Sequence, residues 1–133
     1  MTSSSHYLHT PVSWGELIDK ITILEIKVQR LRAPGAKAHA RAELALLLDV
    51  LAAMPAPPPE LSALKSALDT VNRRLWDIED AIRRKEASRA FDAEFIELAR
   101  SVYQTNDERS RIKRTVNELM QSAIVEEKQY DPR

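Results

Sequence analysis

The sequence predicts an all-α protein, an antiparallel four-helix bundle with a long hairpin formed by its third and fourth helices. Three observations predict it. Apolar residues recur at steps of three and four in four separate stretches, no stretch alternates with the period of two typical of a half-buried strand, and the breaks between stretches are short. A chain of 133 residues fits one domain, here residues 13–130 behind a flexible arm at 1–12. Hydrophobic residues make up 44% but aromatics only 5%, so the core must be aliphatic.

The first helix opens on Ser13-Trp14-Gly15-Glu16, a capping-box pattern in which Ser13 accepts from the third amide and Glu16 reaches back. Behind it Leu17, Ile21, Leu24, Val28 and Leu31 form one amphipathic seam. Ile18, Ile23 and Ile26 lie off that seam, so this helix is apolar on more than one side and is expected to be central or to contact a second chain. Pro34-Gly35 ends it. The second helix runs from about Ala36 to Met54 with Leu44, Leu47, Leu48, Leu51 and Met54 inward. The prolines of 55–59 then forbid helix; they form a stiff connector, or a ligand for a proline-reading module.

The third helix gives the cleanest pattern: Leu61, Leu64, Leu68, Val71, Leu75, Ile78 and Ile82 alternate by three and four. It fades near Ala87. Asp92 caps the fourth helix, Phe91 can staple onto Ile96, and the helix continues to Lys128. The segment from Glu79 to Arg100 is expected to protrude beyond the first helix as a nearly neutral tip. Glu16/Lys20, Glu79/Arg83, Asp80/Arg84 and Asp107/Arg111 are favourable four-residue charge pairs on solvated faces. A coiled hairpin that dimerises into a bundle is the rival architecture.

The fourth helix carries a polar strip in its apolar seam: Asn106, Arg109, Lys113 and Asn117 fall in a narrow sector around Phe95. Matching levels across the antiparallel turns places Glu25, Asn72 and Asn106 in one layer with Arg109 a partial turn away. The prediction is a polar layer of Glu25, Asn72, Asn106 and Arg109 inside an aliphatic bundle. A buried Arg109 needs a carboxylate or an anionic ligand. Such a layer is either a device that fixes helix register or a pocket in which Arg109 and Lys113 receive a carboxylate or phosphate, with Glu25 as acid or base. At one pole, Trp14, Asp19 and Lys20 should neighbour Glu126, Glu127, Lys128 and Tyr130, and a clamp of Lys20 or Lys128 on these acids is an interaction candidate.

Other chemistry is excluded by composition. Twenty basic residues balance 20 acidic ones, which gives no bulk pull toward nucleic acid or an anionic membrane. The absence of cysteine rules out disulfides, thiolate metal sites and cysteine nucleophiles. Two glycines cannot build a phosphate-cradling loop. His6, His9 and His39 form no pair at ligand spacing, so neither a metal nor a cofactor is expected, and no catalytic residue can be named. Met1 to Thr10 lacks the features of a secretory peptide, and Leu44 to Met54, interrupted by Asp49, is about half the roughly 20 residues of a membrane span. A cytoplasmic protein is the expectation.

Three stretches, VSWGELIDKITILEIK at 12–27, FIELARSVYQTNDERSRIK at 95–113 and IVEEKQY at 124–130, resemble a small bacterial family of uncharacterised function. Its members stand alone or occur with sugar-transfer and tetratricopeptide-type proteins. The resemblance implies a setting near surface-polysaccharide assembly and brings no catalytic residue. Leu17-Ile18-Asp19-Lys20-Ile21 is also similar to the opening of helical chorismate mutases, which hold a dicarboxylate between arginines and a lysine. The later charged motifs of that family do not line up here. The leading expectation is a non-enzymatic interaction or assembly module, a homodimer through the off-seam face of the first helix, open to a further protein partner. The alternative is a pocket for a small carboxylate or sugar phosphate.

Overall fold

The computed structural model describes residues 6–128, among which it is all-helical, with four helices and no strand. The helices are α1 (Trp14–Arg30), α2 (Pro34–Ala52), α3 (Glu60–Ala87) and α4 (Ala93–Leu119). α1 packs against each of the other three, α3 packs along α4, and the backbone of α2 approaches α1 alone. These contacts are compatible with the expected bundle.

The start of α1 is capped by Ser13, whose hydroxyl accepts from the Glu16 amide at 3.0 Å. The reciprocal half of the capping box is not made, because the Glu16 carboxylate turns to Lys113. Leu31 adopts extended backbone and ends α1. Pro34 then opens α2 instead of merely closing α1: at the first helical position its fixed φ suits the helix and its missing N–H costs nothing.

α1 supplies eight buried residues and α2 only Ala40, so α1 is the central helix. The off-seam Ile18 and Ile26 are fully buried within the chain. These two therefore offer no surface to a second copy, while Ile23, the third off-seam residue, is half-buried; α1 is apolar on several sides because three sister helices pack on it. Ile18, Leu61, Leu68 and Val116 form the core cluster, with Trp14, Leu51, Leu64 and Ile112 packed around it. The seam of α3 is realised, with Leu61, Leu68, Val71 and Ile78 buried. No residue between Ile78 and Thr105 is buried. In that tip Lys85 binds Asp92 at 3.0 Å and Glu94 at 3.1 Å. Asp92 caps α4 as expected, but Phe91 meets Phe95 edge-on at 5.2 Å, and Ile96 stays exposed. Of the four expected charge pairs only Glu79/Arg83 forms, at 4.0 Å, since Lys20 reaches Glu43 of α2 at 2.9 Å.

α4 ends at Leu119, not near Lys128. Gln121 takes a φ of 52°, the Ser122 amide donates to the Asn117 carbonyl at 2.9 Å and the Gln121 amide to Glu118 at 3.3 Å, which together make a Schellman stop. α3 stops in the same way, with Arg89 at φ 53° and Ala90 donating to Lys85. Neither stop carries the usual glycine, which is why the sequence concealed the end of α4. A non-glycine residue pays for this left-handed conformation. Arg89→Gly should therefore raise the urea midpoint by a gain of about 0.5–1 kcal/mol, after the extra freedom of the unfolded glycine is deducted.

Candidate functional site: a buried carboxylate and its cations

Asp19 is the centre of the site. Its side chain, on the inner face of α1, has no solvent exposure. Arg109 of α4 lays a fork on it: Nε donates to Oδ1 and Oδ2 at 3.0 and 3.1 Å, and Nη2 donates to Oδ2. Asn72 of α3 donates to Oδ1 at 2.9 Å and to the Thr22 hydroxyl at 2.9 Å. Thr22 in turn donates to the Asp19 carbonyl at 2.7 Å. Three helices are thus tied at one carboxylate. No buried side-chain polar atom among the described residues lacks a partner, as a charged layer in an aliphatic core requires. The hydrogen bonds that Arg109 donates to Asp19 outweigh burial and hold the Arg109 pKa above its ordinary value.

Lys113, one turn further along α4, extends the cluster toward the end of the bundle. Its ammonium lies 3.9 Å from Asp19 Oδ2 and donates to Glu16 at 2.7 Å and Glu126 at 3.0 Å. Burial alone would favour the neutral amine, but these two hydrogen bonds prevail and raise its pKa. Glu126 belongs to a strap, residues 122–128, that follows the stop of α4 and folds back along it. Glu127 of the strap reaches Arg114 at 3.2 Å. Arg109 and Lys113 face three carboxylates, and Lys128, 3.7 Å from Glu126, supplies the third positive charge.

The same corner closes the start of α1 onto α4. The Gly15 amide donates to Asn117 Oδ1 at 2.7 Å, and the Trp14 amide donates to Ser122 Oγ at 3.2 Å. Amides that a helix start leaves unpaired are here satisfied by Asn117 of α4 and Ser122 of the strap. A Cβ on Gly15 would lie 2.6 Å from the Lys113 carbonyl oxygen, so only glycine lets the two backbones approach this closely.

A family model, described as a family of unknown function (DUF6165), matches residues 8–133. The chain belongs to DUF6165. No curated protein and no solved structure gives a significant match to it. No helix among the described residues of this DUF6165 member is long and apolar enough to cross a membrane.

Of the residues singled out in the sequence, the fold brings together Asn72, Arg109, Lys113 and Asp19. Asn106 is half-buried on α4 outside this hydrogen-bonded set. Glu25 is not in the layer: its carboxylate is about a third exposed and pairs with Lys65 at 2.8 Å. Asp19, assigned from the sequence to the pole, takes the place expected of Glu25. The pole does join Trp14 to the end of α4, but the clamp is Lys113, since Lys20 is engaged by α2 and Lys128 meets only its neighbour Glu126 at 3.7 Å. Tyr130 lies outside the described residues. Asp19 itself was legible, because Gly15, Asp19, Thr22 and Ile26 step by four, three and four, a second seam whose polar members signal an inward layer.

The strap gives this DUF6165 chain a pH response. The Lys113 hydrogen bond holds the Glu126 pKa below its ordinary value, so the stabilisation is present above the unfolded value of about 4.3 and is lost as pH falls through the lower folded value. The raised pKa of Lys113 gives the opposite limb, with stabilisation present below about 10.4 and lost as pH rises through the folded value. Glu126 is nearly half exposed, so its share is at most about 1 kcal/mol. The protection of the 122–128 amides, taken relative to the intrinsic exchange rate at each pH, should fall below about pH 4, and Glu126→Gln should show the lower protection already at neutral pH.

Proposed function

We propose that this protein is a non-enzymatic helical interaction module that works as a homodimer, its polar centre fixing how the helices register. One observation carries the reading: α2 is the most apolar of the four helices, yet in the single chain it buries only Ala40, leaving Leu48 and Val50 exposed, with Met54 exposed just beyond its end. A helix of that composition is expected to find cover. The closed charge balance around Asp19 supports a structural role for the centre, since each charged group there is already engaged by another. The cross-contacts Arg74–Glu108 and Lys85–Asp92 on α3 and α4 support an antiparallel hairpin within an antiparallel bundle. The likeness to chains that accompany sugar-transfer proteins supports a setting in surface-polysaccharide assembly. Sedimentation equilibrium at micromolar to submillimolar concentration should give a dimer. A strict monomer throughout overturns the reading.

A second reading, a site for a small oxyanion, is supported by the seating of the Glu126 carboxylate on Lys113 beside Ser110, Arg111, Arg114 and Lys128. A carboxylate or phosphate would have to displace the strap. On this reading Glu126→Gln, with the competitor gone, should bind phosphate or succinate more tightly than the parent by calorimetry. No saturable binding by either protein overturns it.

A further inference from the structure

We propose that two copies of this chain pair α2 against α2, antiparallel, about a two-fold axis passing at Ala45. The inference rests on the self-association reading above and names its surface. Successive residues of a helix are rotated by about 100°, which sorts α2 into two faces. Buried Ala40, half-buried Leu44, Leu47 and Leu51, and Glu43 on its α1 partner Lys20 define the face turned to α1. On the other side Ala38, Arg41, Ala45, Leu48 and Ala52, all exposed, step by three, four, three and four. That is the spacing of a helix-pairing seam, and no other helix among the described residues approaches it.

Charge selects the occupant and its direction. Arg41 and Asp49 lie four residues to either side of Ala45, both exposed, and neither forms an ion pair with another described residue. An antiparallel second copy centred on Ala45 places Arg41 against the partner's Asp49 and Asp49 against the partner's Arg41. A parallel copy would set like charge against like. The same symmetry faces Ala38 with the partner's Ala52, and the small side chains along the seam let two helix axes come as close as about 8 Å. The contact is isologous and closes at two copies, so it makes a dimer and not a filament.

The experiment is a charge swap read by sedimentation equilibrium on the full chain. Arg41→Asp and Asp49→Arg should each weaken the dimer by about tenfold or more, and the double swap should restore it. Circular dichroism reports whether each variant keeps its helices, as expected for exposed positions. Because the chain has no cysteine, Ala45→Cys is a clean second probe. On mild oxidation it should form a disulfide-linked dimer, whereas Val50→Cys, off the seam, should not. A dimer insensitive to both single swaps, or Val50→Cys crosslinking as well as Ala45→Cys, overturns the α2 surface while leaving self-association standing. A monomeric parent chain overturns both.

Discussion

Replacing Arg109 by alanine should cost about 3–5 kcal/mol, because it strands a carboxylate that water cannot reach. Asp19 has no exposure, and of its three polar partners Arg109 supplies the bidentate fork; Asn72 is neutral and Lys113 stands 3.9 Å away. The chain's thermal midpoint should fall by roughly 10–20 °C for a domain of this size. The reverse truncation, Asp19→Ala, should be milder, since the Arg109 side chain is already a quarter exposed and can turn its guanidinium to water. Replacing both at once, Asp19→Leu with Arg109→Met, removes the charge and its partner together and should recover most of the loss. Denaturant unfolding of the parent, Asp19→Leu, Arg109→Met and the double variant closes a double-mutant cycle that measures the coupling. Near-additive losses would show that the pair does not act as a unit.

Gly15→Ala should be the next most damaging change, at about 1–3 kcal/mol, although alanine is the better helix former. The added methyl would sit 2.6 Å from the Lys113 carbonyl oxygen and 3.0 Å from Asn117 Oδ1, and a backbone carbonyl cannot swing aside. α1 must retreat from α4, which also stretches the Gly15–Asn117 hydrogen bond. The chain carries its own control. Its one other glycine, Gly35 near the start of α2, has nothing within 4 Å of a Cβ. Gly35→Ala should stabilise by about 0.4–1 kcal/mol. Opposite signs for the two substitutions in urea unfolding would verify that the close approach, and not helix propensity, sets the cost at Gly15.

Asn72 on α3 and Arg109 on α4 were legible as layer residues, Asn106 was not a member, and the α1 carboxylate was misplaced, for a geometric reason. Asn72 and Arg109 share a hairpin joined by a short turn, so counting back from that turn keeps its accuracy. Reaching α1 by the same count required passing through α2, and α2 does not lie along α3. The error moved the expected carboxylate from Asp19 to Glu25, about 9 Å along a helix. The partner of Lys113 was hidden differently. Had α4 continued, Glu126 would stand about 20 Å from Lys113 along the helix. The stop at Gln121, built without glycine, brings it within a hydrogen bond.

The sequence by itself determined the helices, the aliphatic seams and the presence of an inward polar strip, because each depends on spacing within one segment and on the chemistry of its own side chains. Only the tertiary structure decided which carboxylate meets Arg109, why Gly15 cannot carry a side chain, and which face of α2 is left open. Those outcomes depend on how far one helix slides and turns against another. That degree of freedom is set by the packing of all the helices together, and no local pattern encodes it.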